Sequence, residues 1–290
     1  YLDVTTGDFF THTFDNYTQF KDFIIRISAH ELLISKKTAT DDLFSGLNNI
    51  TSVRIIDDWK FDIISTTDTI LDHFSIHNCQ TFGYSPNDPL IIPCGVLVDY
   101  IKYTLLEDVA HITTIRKHQQ SNELVIDNRT MAHLAVLEPS SHTEHDDLFT
   151  HVNQTKTHMG YRLLRKWLSF PSRCLDTIHA RQTAINECLQ HYNDTLSLQA
   201  MLKQICDLER LSGKCFKKNL LPRQYIAISK SLTEANNIAN TTRHISAFNT
   251  IQDATQETTP LISLIDECIR LDCSNKVGDG SIFKPTYDSE

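Results

Sequence analysis

The sequence predicts an α/β domain followed by an all-α domain, and three observations lead to that prediction. Strand-like runs alternate with helix-like runs over roughly the first 120 residues. After about residue 150, apolar residues recur almost only at helical spacing. A chain of 290 residues is also long for a single core, which favours two domains. We therefore assign residues 1–120 to the first domain and residues 121–290 to the second.

The first domain opens with a predicted β-hairpin. Residues 1–14 alternate apolar and polar side chains around Gly7, which can adopt the positive φ of a tight turn. Asn16 follows as the predicted N-cap of a helix. The later elements of this half are predicted strands at 31–34 and 53–56 and predicted helices at 41–49 and from Asp88-Pro89 or Pro93 to 105.

The strongest helical signal lies at residues 155–171. Its apolar face carries Leu163, Leu164, Trp167 and Leu168, so we expect Trp167 in the core of the second domain. Its other face is basic, with Arg162, Arg165 and Lys166. Thr155 or Thr157 is the predicted N-cap, and Pro171 ends the helix.

Further amphipathic helices follow, and their apolar stripes predict a bundle-like domain because each stripe must be buried. Pro222 marks the start of one helix, and Thr259-Pro260 is predicted to cap another. The stripe residues are Ile178, Ile185, Cys188 and Leu189; Leu198, Met201, Leu202, Ile205, Leu208 and Leu211; Tyr225, Ile228, Leu232, Ala235 and Ala239; and Leu261, Ile262, Leu264, Ile265, Cys268 and Ile269. Between the domains, residues 123–126 are a predicted strand and residues 140–147 a predicted loop.

Charge and composition exclude several classes of protein. The net charge is −9, with 9 Lys and Arg against 16 Asp and Glu in residues 1–120 and 18 against 20 afterwards. Neither half has the basic balance of a self-sufficient DNA-binding domain. No apolar run approaches the ~20 residues of a membrane helix. None of the eight cysteines has Cys-x-x-Cys spacing, which argues against zinc and favours reduced thiols. The chain opens without Met, so we expect an excised piece.

Three groups of residues invite a chemical interpretation, and each has a simpler one. His142 and His145 stand beside acidic residues in the predicted loop, where solvated connectors are commoner than metal sites. Asp207, Glu209 and Arg210 could form an acid–base set, but the i,i+3 spacing of Asp207 and Arg210 favours a structural ion pair. Gly213-Lys214 lacks the first glycine and the Ser or Thr of a phosphate loop, since Leu208 and Cys215 stand there.

Several strings resemble the MutS family of DNA mismatch-repair proteins. Residues 155–171, Thr-x-Thr-x-Met-Gly-x-Arg-Leu-Leu-Arg-x-Trp-Leu-x-x-Pro, resemble the opening helix of the family's core domain. Residues 1–9, Tyr-Leu-Asp-Val-Thr-Thr-Gly-Asp-Phe, resemble the first hairpin of its connector domain. The sequence departs from the family at Ala29, His133 and Ala135, where Pro, Asn and Glu are usual. Further matching positions are Leu71-Asp-His-Phe74, Phe82-Gly83, Gly95-x-Leu97-x-x-Tyr100, Ile178-x-x-Arg181, Asp207–Leu211, Gly278-x-Gly280-x-Ile282 and Tyr287-Asp-x-Glu290.

The resemblance implies a ribonuclease H-like connector domain followed by the first part of a helical core domain, before the family's lever and clamp. A ribonuclease H-like fold raises an alternative function, a metal-dependent nuclease that holds two ions with carboxylates. Asp3 lies on the first predicted strand, and Asp57, Asp58 and Asp62 are nominal partners for it. The simpler interpretation is that Asp3 caps the turn and the other three lie in surface loops.

For function, the resemblance implies a non-catalytic piece that couples mismatch recognition to the family's ATPase. We predict no catalytic, cofactor-binding or metal-binding residue here; ATP and Mg²⁺ are implied for the intact protein. Implied partners are mismatched duplex DNA through other regions, a MutL-type protein at the connector domain and a second MutS-type subunit, with no membrane. The implied location is the cytoplasm of a bacterium, or otherwise the nucleus or mitochondria.

The basic residues of the second domain leave three roles open. They could be solvated helix faces, ion-pair partners of the acidic first domain, or weak phosphate contacts. We expect at most weak duplex binding without a mismatch preference, because the family's apolar wedge lies outside this chain. The residues concerned are Arg162, Arg165, Lys166, Lys214, Lys217, Lys218 and Arg223.

Overall fold

The computed structural model divides the chain into two compact units. The first unit comprises Tyr1–His151 with Leu168–Phe170, and the second unit comprises Val152–Trp167 with Pro171–Glu290. The domain boundary at residues 120 and 121 stays a prediction. The residues that the structure describes are 1–44, 46–105, 109–118, 122–137, 147–216, 218–275 and 281–287.

Short strands of the first unit form two small sheets. The strands are β1 (Leu2–Asp3), β2 (Asp8–Thr11), β3 (Glu31–Ser35), β4 (Ser52–Ile56) and β5 (Arg116–Lys117). β2 pairs antiparallel with β1 and parallel with β5, while β3 and β4 form a parallel pair. The predicted hairpin and the two later strands are therefore confirmed. Gly7 has a φ of +77°, and a Cβ there would lie 3.1 Å from the His111 carbonyl oxygen, so the turn requires glycine.

Helices alternate with these strands, as an α/β unit requires. They are α1 (Tyr17–Arg26), α2 (Lys36–Ala39), α3 (Ile63–Phe74), α4 (Ile91–Leu105) and α5 (Asn128–His133). The Asn16 side chain accepts a hydrogen bond from the Gln19 amide at 3.0 Å, which confirms the predicted N-cap of α1.

Two predicted elements of this unit are wrong. The described part of 41–49 forms two 3-10 turns, Asp42–Phe44 and Leu47–Asn49, rather than an α-helix. The Asp41 carboxylate accepts the Leu43 amide at 3.0 Å, a local bond that competes with helix formation. Residues 123–126 form no strand beyond a single bridge residue, and both Leu124 and Val125 are exposed.

The core of the first unit lies around the packed helices α3 and α4. Helix α4 approaches α3 closely at Gly95, where a Cβ would stand 2.5 Å from the Thr66 side chain and carbonyl oxygen. This contact explains Gly95 in one of the matching strings, because any side chain would push the helices apart. The buried cluster contains Phe9, Ile70, Cys79, Tyr84, Ile91, Cys94, Val98, Ile101, Val109, Ile112 and Ile115.

From residue 148 onward the described chain is almost wholly helical. The helices are α6 (Leu148–Val152), α7 (His158–Ser169), α8 (Leu175–Gln190), α9 (Tyr192–Leu202), α10 (Leu208–Phe216), α11 (Pro222–Thr241) and α12 (Asn249–Cys268). Pro222 is the first residue of α11, as predicted. The Thr259-Pro260 cap is wrong, because Pro260 lies inside α12. The helix continues through Pro260, and the hydroxyls of Thr258 and Thr259 donate to the Thr255 carbonyl.

The bundle-like packing of the second unit is confirmed, because α8 packs against α9, α9 and α10 pack against α11, and α11 packs most extensively against α12. Helices α11 and α12, together with the segment after α12, bury a cluster of Ile226, Ile265, Cys268, Ile269 and Cys273. On α8, by contrast, Ile185 and Leu189 are mostly exposed, so the predicted burial of that stripe is wrong. All eight cysteines carry free thiols, and four of them, including Cys268, are buried as small apolar side chains.

Candidate functional site

A guanidinium group joins two of the matching strings of the second unit. Thr157 caps α7 by accepting the Gly160 amide at 3.0 Å. Arg162 follows on this helix, and its Nη1 and Nη2 donate to the two carboxylate oxygens of Asp207 at 2.8 and 2.7 Å. Its Nη2 and Nε also donate to Glu209 Oε2, at 2.5 and 3.2 Å. We call these three residues the Arg162 cluster.

Asp207 has a second role at the start of α10. Its Oδ1 accepts the Arg210 amide at 3.3 Å, so the carboxylate caps the helix that Leu208 begins. A carboxylate at this position also satisfies the positive end of the helix dipole. The Arg162 cluster therefore fixes the start of α10 against α7.

The electrostatics of the Arg162 cluster favour a structural role. The Asp207 side chain is only 15% exposed, and hydrogen bonds from Arg162 hold the pKa of its carboxyl below the usual value. The same bonds raise the pKa of Arg162 above its ordinary value. Both groups therefore stay charged, and neither offers a proton for acid–base chemistry near neutral pH.

The predicted structural pairing of Asp207 with Arg210 is confirmed, but Arg162 is the closer partner of this carboxylate. Arg210 Nε does lie 3.7 Å from Asp207 Oδ2, but the two short bonds of Asp207 come from Arg162. Spacing along one helix shows only near neighbours, whereas Arg162 stands 45 residues earlier in the chain. The Arg162 guanidinium therefore forms its ion pairs within its own unit.

The predicted burial of Trp167 is also wrong. Its side chain is 39% exposed, and its neighbour on the helix face, Leu163, is exposed as well. The Arg181 guanidinium carbon lies 3.7 Å from the centroid of the indole ring. A cation covers the aromatic face in place of apolar core atoms. Arg181 belongs to another matching string, so α7 is tied to α8 through residues that the resemblance had singled out.

The four carboxylates of the nuclease hypothesis have separate structural roles. Asp3 accepts the amide and hydroxyl of Thr5, both at 2.8 Å, and so caps the hairpin turn. Asp57 pairs with Lys36 at 2.5 Å, Asp58 accepts the Lys37 amide at 3.0 Å, and Asp62 caps α3 through the Ser65 amide at 2.9 Å. Within the described part of the chain, they do not form a three-ligand group. The nuclease hypothesis is therefore not supported.

The other basic residues differ in their surroundings. Arg223 Nε donates to the Cys273 carbonyl at 3.0 Å, so this guanidinium is used inside the second unit. Lys214 and Lys218 are exposed, and Arg165 and Lys166 have interactions of their own. Lys217 lies outside the described residues.

The Gly-Lys pair of the second unit lies in a helix, and several other residues considered in the sequence analysis fall outside the described residues. Gly213 and Lys214 lie inside α10 and not in a loop before a helix, which agrees with the absence of a phosphate-loop pattern. His142, His145, Gly278 and Gly280 fall outside the described residues. No helix among the described residues combines the length and apolar character that crossing a bilayer requires.

Comparisons with known proteins match both units to the same family. The family model "MutS domain II" matches residues 1–113, and "MutS domain III" matches residues 129–290. Relatives named "DNA mismatch repair protein MutS" align over 100% of this chain, at 27% identity in Treponema denticola, 26% in Salinibacter ruber and 28% in Protochlamydia amoebophila. The chain covers 34%, 32% and 35% of these relatives, so it spans about a third of their length.

Proposed function

Because the chain belongs to the MutS family of DNA mismatch-repair proteins, we propose that it is the part that couples mismatch recognition to ATP hydrolysis. The coupling piece itself performs no catalysis. The intact protein would use ATP and Mg²⁺, bind mismatched duplex through other regions and act with a second MutS-type subunit. The expected location is the cytoplasm of a bacterium, or the nucleus or mitochondria elsewhere.

The observation that supports this proposal best is that an ion pair and a cation–π contact hold helices α7, α8 and α10 together. Arg162 binds Asp207 through two parallel hydrogen bonds, and Arg181 covers Trp167. A fork-shaped, two-bond ion pair fixes orientation as well as distance. An element that transmits a displacement must move as one rigid body. These non-covalent contacts between the helices provide that rigidity, and no catalytic residue is needed for it.

A ribonuclease H-like arrangement of the first unit is part of the same proposal. Its antiparallel hairpin with a parallel neighbour, followed by a parallel pair, is compatible with such a fold. We regard the fold as a scaffold without nuclease activity, because its candidate carboxylates cap turns or pair with lysines.

A MutL-type protein is the proposed partner of the first unit, and two exposed aromatic residues support a docking surface for it. Trp59 is 68% exposed and Tyr103 is 76% exposed. They flank one salt bridge, because Lys60 follows Trp59 and donates to Asp99 at 2.6 Å, and Asp99 lies one turn before Tyr103 on α4. Aromatic side chains of this kind commonly dominate binding energy at protein interfaces.

Measuring duplex binding tests the proposal that mismatched DNA is bound by other regions of the intact protein. We expect the chain to bind matched and mismatched oligonucleotides equally, with a Kd weaker than about 1 µM at physiological salt. Exposed Lys214 and Lys218 would carry what binding there is, so replacing both by Ala should reduce the salt dependence. Arg270→Ala is the control, since the Arg270 guanidinium is already paired with Asp272 two residues away. Sub-micromolar affinity with a mismatch preference would contradict the proposal.

Binding of a MutL-type protein from the same organism tests the docking surface. The double variant Trp59→Ala and Tyr103→Ala should lose roughly thirtyfold in affinity, the loss expected for interface anchors. Leu43→Ala is the control, because Leu43 is an exposed apolar residue of the same unit outside this surface. Equal binding by both variants would exclude this surface as the docking site.

A further inference from the structure

We propose that His191, Asp194 and His244 of the second unit form a binding site for a divalent transition-metal ion such as Zn²⁺. One ring nitrogen of each histidine and one Asp194 carboxylate oxygen all lie within 4.8 Å of one another. Among the described residues, this is the group of three potential ligands with that property. This group contains no cysteine, so the cysteine spacing that argues against a zinc site does not apply to it.

The three residues come from different parts of the helical unit. His191 stands between α8 and α9, Asp194 lies in the first turn of α9, and His244 follows the end of α11. His244 Nε2 lies 3.0 Å from Asp194 Oδ2, and the two imidazole centroids are 4.3 Å apart. No sequence motif joins residues so far apart, which is why the sequence analysis missed the group.

The ligand spacing is close to that of a tetrahedral site. Zinc–nitrogen and zinc–oxygen bonds of about 2.0–2.1 Å place neighbouring ligand atoms about 3.3 Å apart. The His244–Asp194 distance of 3.0 Å is already near this value. The outer limit of 4.8 Å leaves at most about 1.5 Å to be closed by side-chain rotation. An ion would therefore bind without rearrangement of the helices.

Hydrogen bonds separate from the ligand atoms hold the backbone on both sides. Glu187 at the end of α8 accepts the Ser246 hydroxyl at 2.6 Å and the Ala247 amide at 3.3 Å. The Thr195 hydroxyl contacts the carbonyl oxygens of Cys188 at 2.7 Å and His191 at 3.0 Å. A metal ion would leave these bonds intact, so the site is partly preorganised.

Ligand chemistry identifies the class of ion. Two imidazoles and one carboxylate suit Zn²⁺, Ni²⁺ or Cu²⁺, whereas Ca²⁺ and Mg²⁺ prefer oxygen ligands alone. The Asp194 and His244 side chains are 41% and 43% exposed, so an ion can enter from solvent and water can fill the fourth position. The bound ion would connect the α8–α9 junction to the segment that follows α11, because it would take ligands from both.

The test is a titration of the purified chain with Zn²⁺ at pH 7.5 against a chromophoric competing chelator. We expect one equivalent to bind, and Asp194→Asn and His244→Gln each to weaken binding by at least about tenfold. His179→Gln is the control, because His179 is an exposed histidine on α8 and should not change the affinity. Far-ultraviolet circular dichroism checks that each variant keeps its helices.

Cobalt distinguishes this site from the free thiols. Co²⁺ bound to imidazole and carboxylate in a tetrahedral site should give visible d–d bands without thiolate charge-transfer absorption. Hydrogen exchange at Ala247 should also slow when Zn²⁺ is added to the unaltered chain. The proposal is overturned if the ligand variants bind like the control, if thiolate absorption appears, or if His244 and Asp194 form an ion pair that takes up no metal.

Discussion

In the first unit, Phe9, Ile70 and Val98 are almost inaccessible to water, whereas Ile185, Leu189 and Tyr192 of the second unit are mostly exposed. The first unit surrounds a large apolar cluster, with helices close enough to require Gly95. The second unit has a smaller apolar cluster between α11 and α12 and joins α7, α8 and α10 through polar contacts. Two domains of one chain can thus be compact through different kinds of interaction.

This difference can be measured because each unit has its own tryptophan. Of the 2 tryptophans, Trp59 lies in the first unit and Trp167 in the second. Trp167→Phe makes fluorescence report on the first unit, and Trp59→Phe makes it report on the second. Unfolding by urea in these two backgrounds then gives a free energy for each unit.

The largest expected effect is the loss of a core side chain from the first unit. Phe9 is 1% exposed, so Phe9→Ala should lower the unfolding free energy of that unit by about 3–5 kcal/mol through lost burial and a cavity. Urea unfolding in the Trp167→Phe background measures the change. Leu43→Ala, at an exposed position, should cost less than about 0.5 kcal/mol. Similar losses for both variants would contradict a core-stabilised first unit.

The next effect concerns the Arg162 cluster. Arg162→Ala leaves the mostly buried Asp207 without its partner, and we expect a loss of about 2–3 kcal/mol, less than for a fully buried ion pair. Fluorescence of Trp167 in the Trp59→Phe background reports the unfolding of the second unit. Arg270→Ala is the control, since Arg270 pairs with exposed Asp272 two residues away and should contribute little. A cost for Arg162→Ala as small as that of the control would mean that polar contacts do not stabilise this unit.

Part of the stabilisation by the Arg162 cluster should depend on pH, because the Asp207 carboxyl must be ionised to pair with Arg162. Arg162 lowers the pKa of Asp207 in the folded protein. The stabilisation is therefore complete above the ordinary Asp pKa of about 3.9 and is lost as the pH falls through the lowered value. The difference in unfolding free energy between the unaltered chain and Asp207→Asn should be constant from pH 7 to about 5 and shrink below about pH 4. A difference independent of pH down to 2 would exclude an ionic contribution of about 1 kcal/mol or more.

The smallest expected effect is the coupling between Trp167 and Arg181. A partly exposed cation–π contact contributes about 0.5–1 kcal/mol, so a double-mutant cycle of Trp167→Ala and Arg181→Ala should give a coupling in this range. Trp167→Ala alone should cost well under the roughly 3–5 kcal/mol of a buried indole. Circular dichroism follows unfolding here, because the variant lacks the fluorescent reporter. A cost of that larger size would indicate that Trp167 belongs to a core after all.

The elements that could be predicted from the amino-acid sequence alone are those with a local cause. Gly7 fixed the hairpin, Asn16 began α1, Pro222 began α11, and the family strings identified both domains, as the family models confirm. Each of these depends on backbone geometry or on a neighbour within a few residues. The prediction failed where local signals competed, as at Asp41 and at Pro260, because the sequence does not show which hydrogen bonds prevail.

Which face of a helix is buried, and which charged groups form pairs, could be seen only in the folded protein. An amphipathic stripe shows that a helix has an apolar face but not how much of it finds a partner, so Leu163 and Trp167 remained exposed. Arg162 was one of several basic residues until the fold placed Asp207 within 2.7 Å of it. The same holds for His191 and His244, which lie on different segments of the chain. Such contacts depend on the path of the backbone between the partners, which no spacing rule contains.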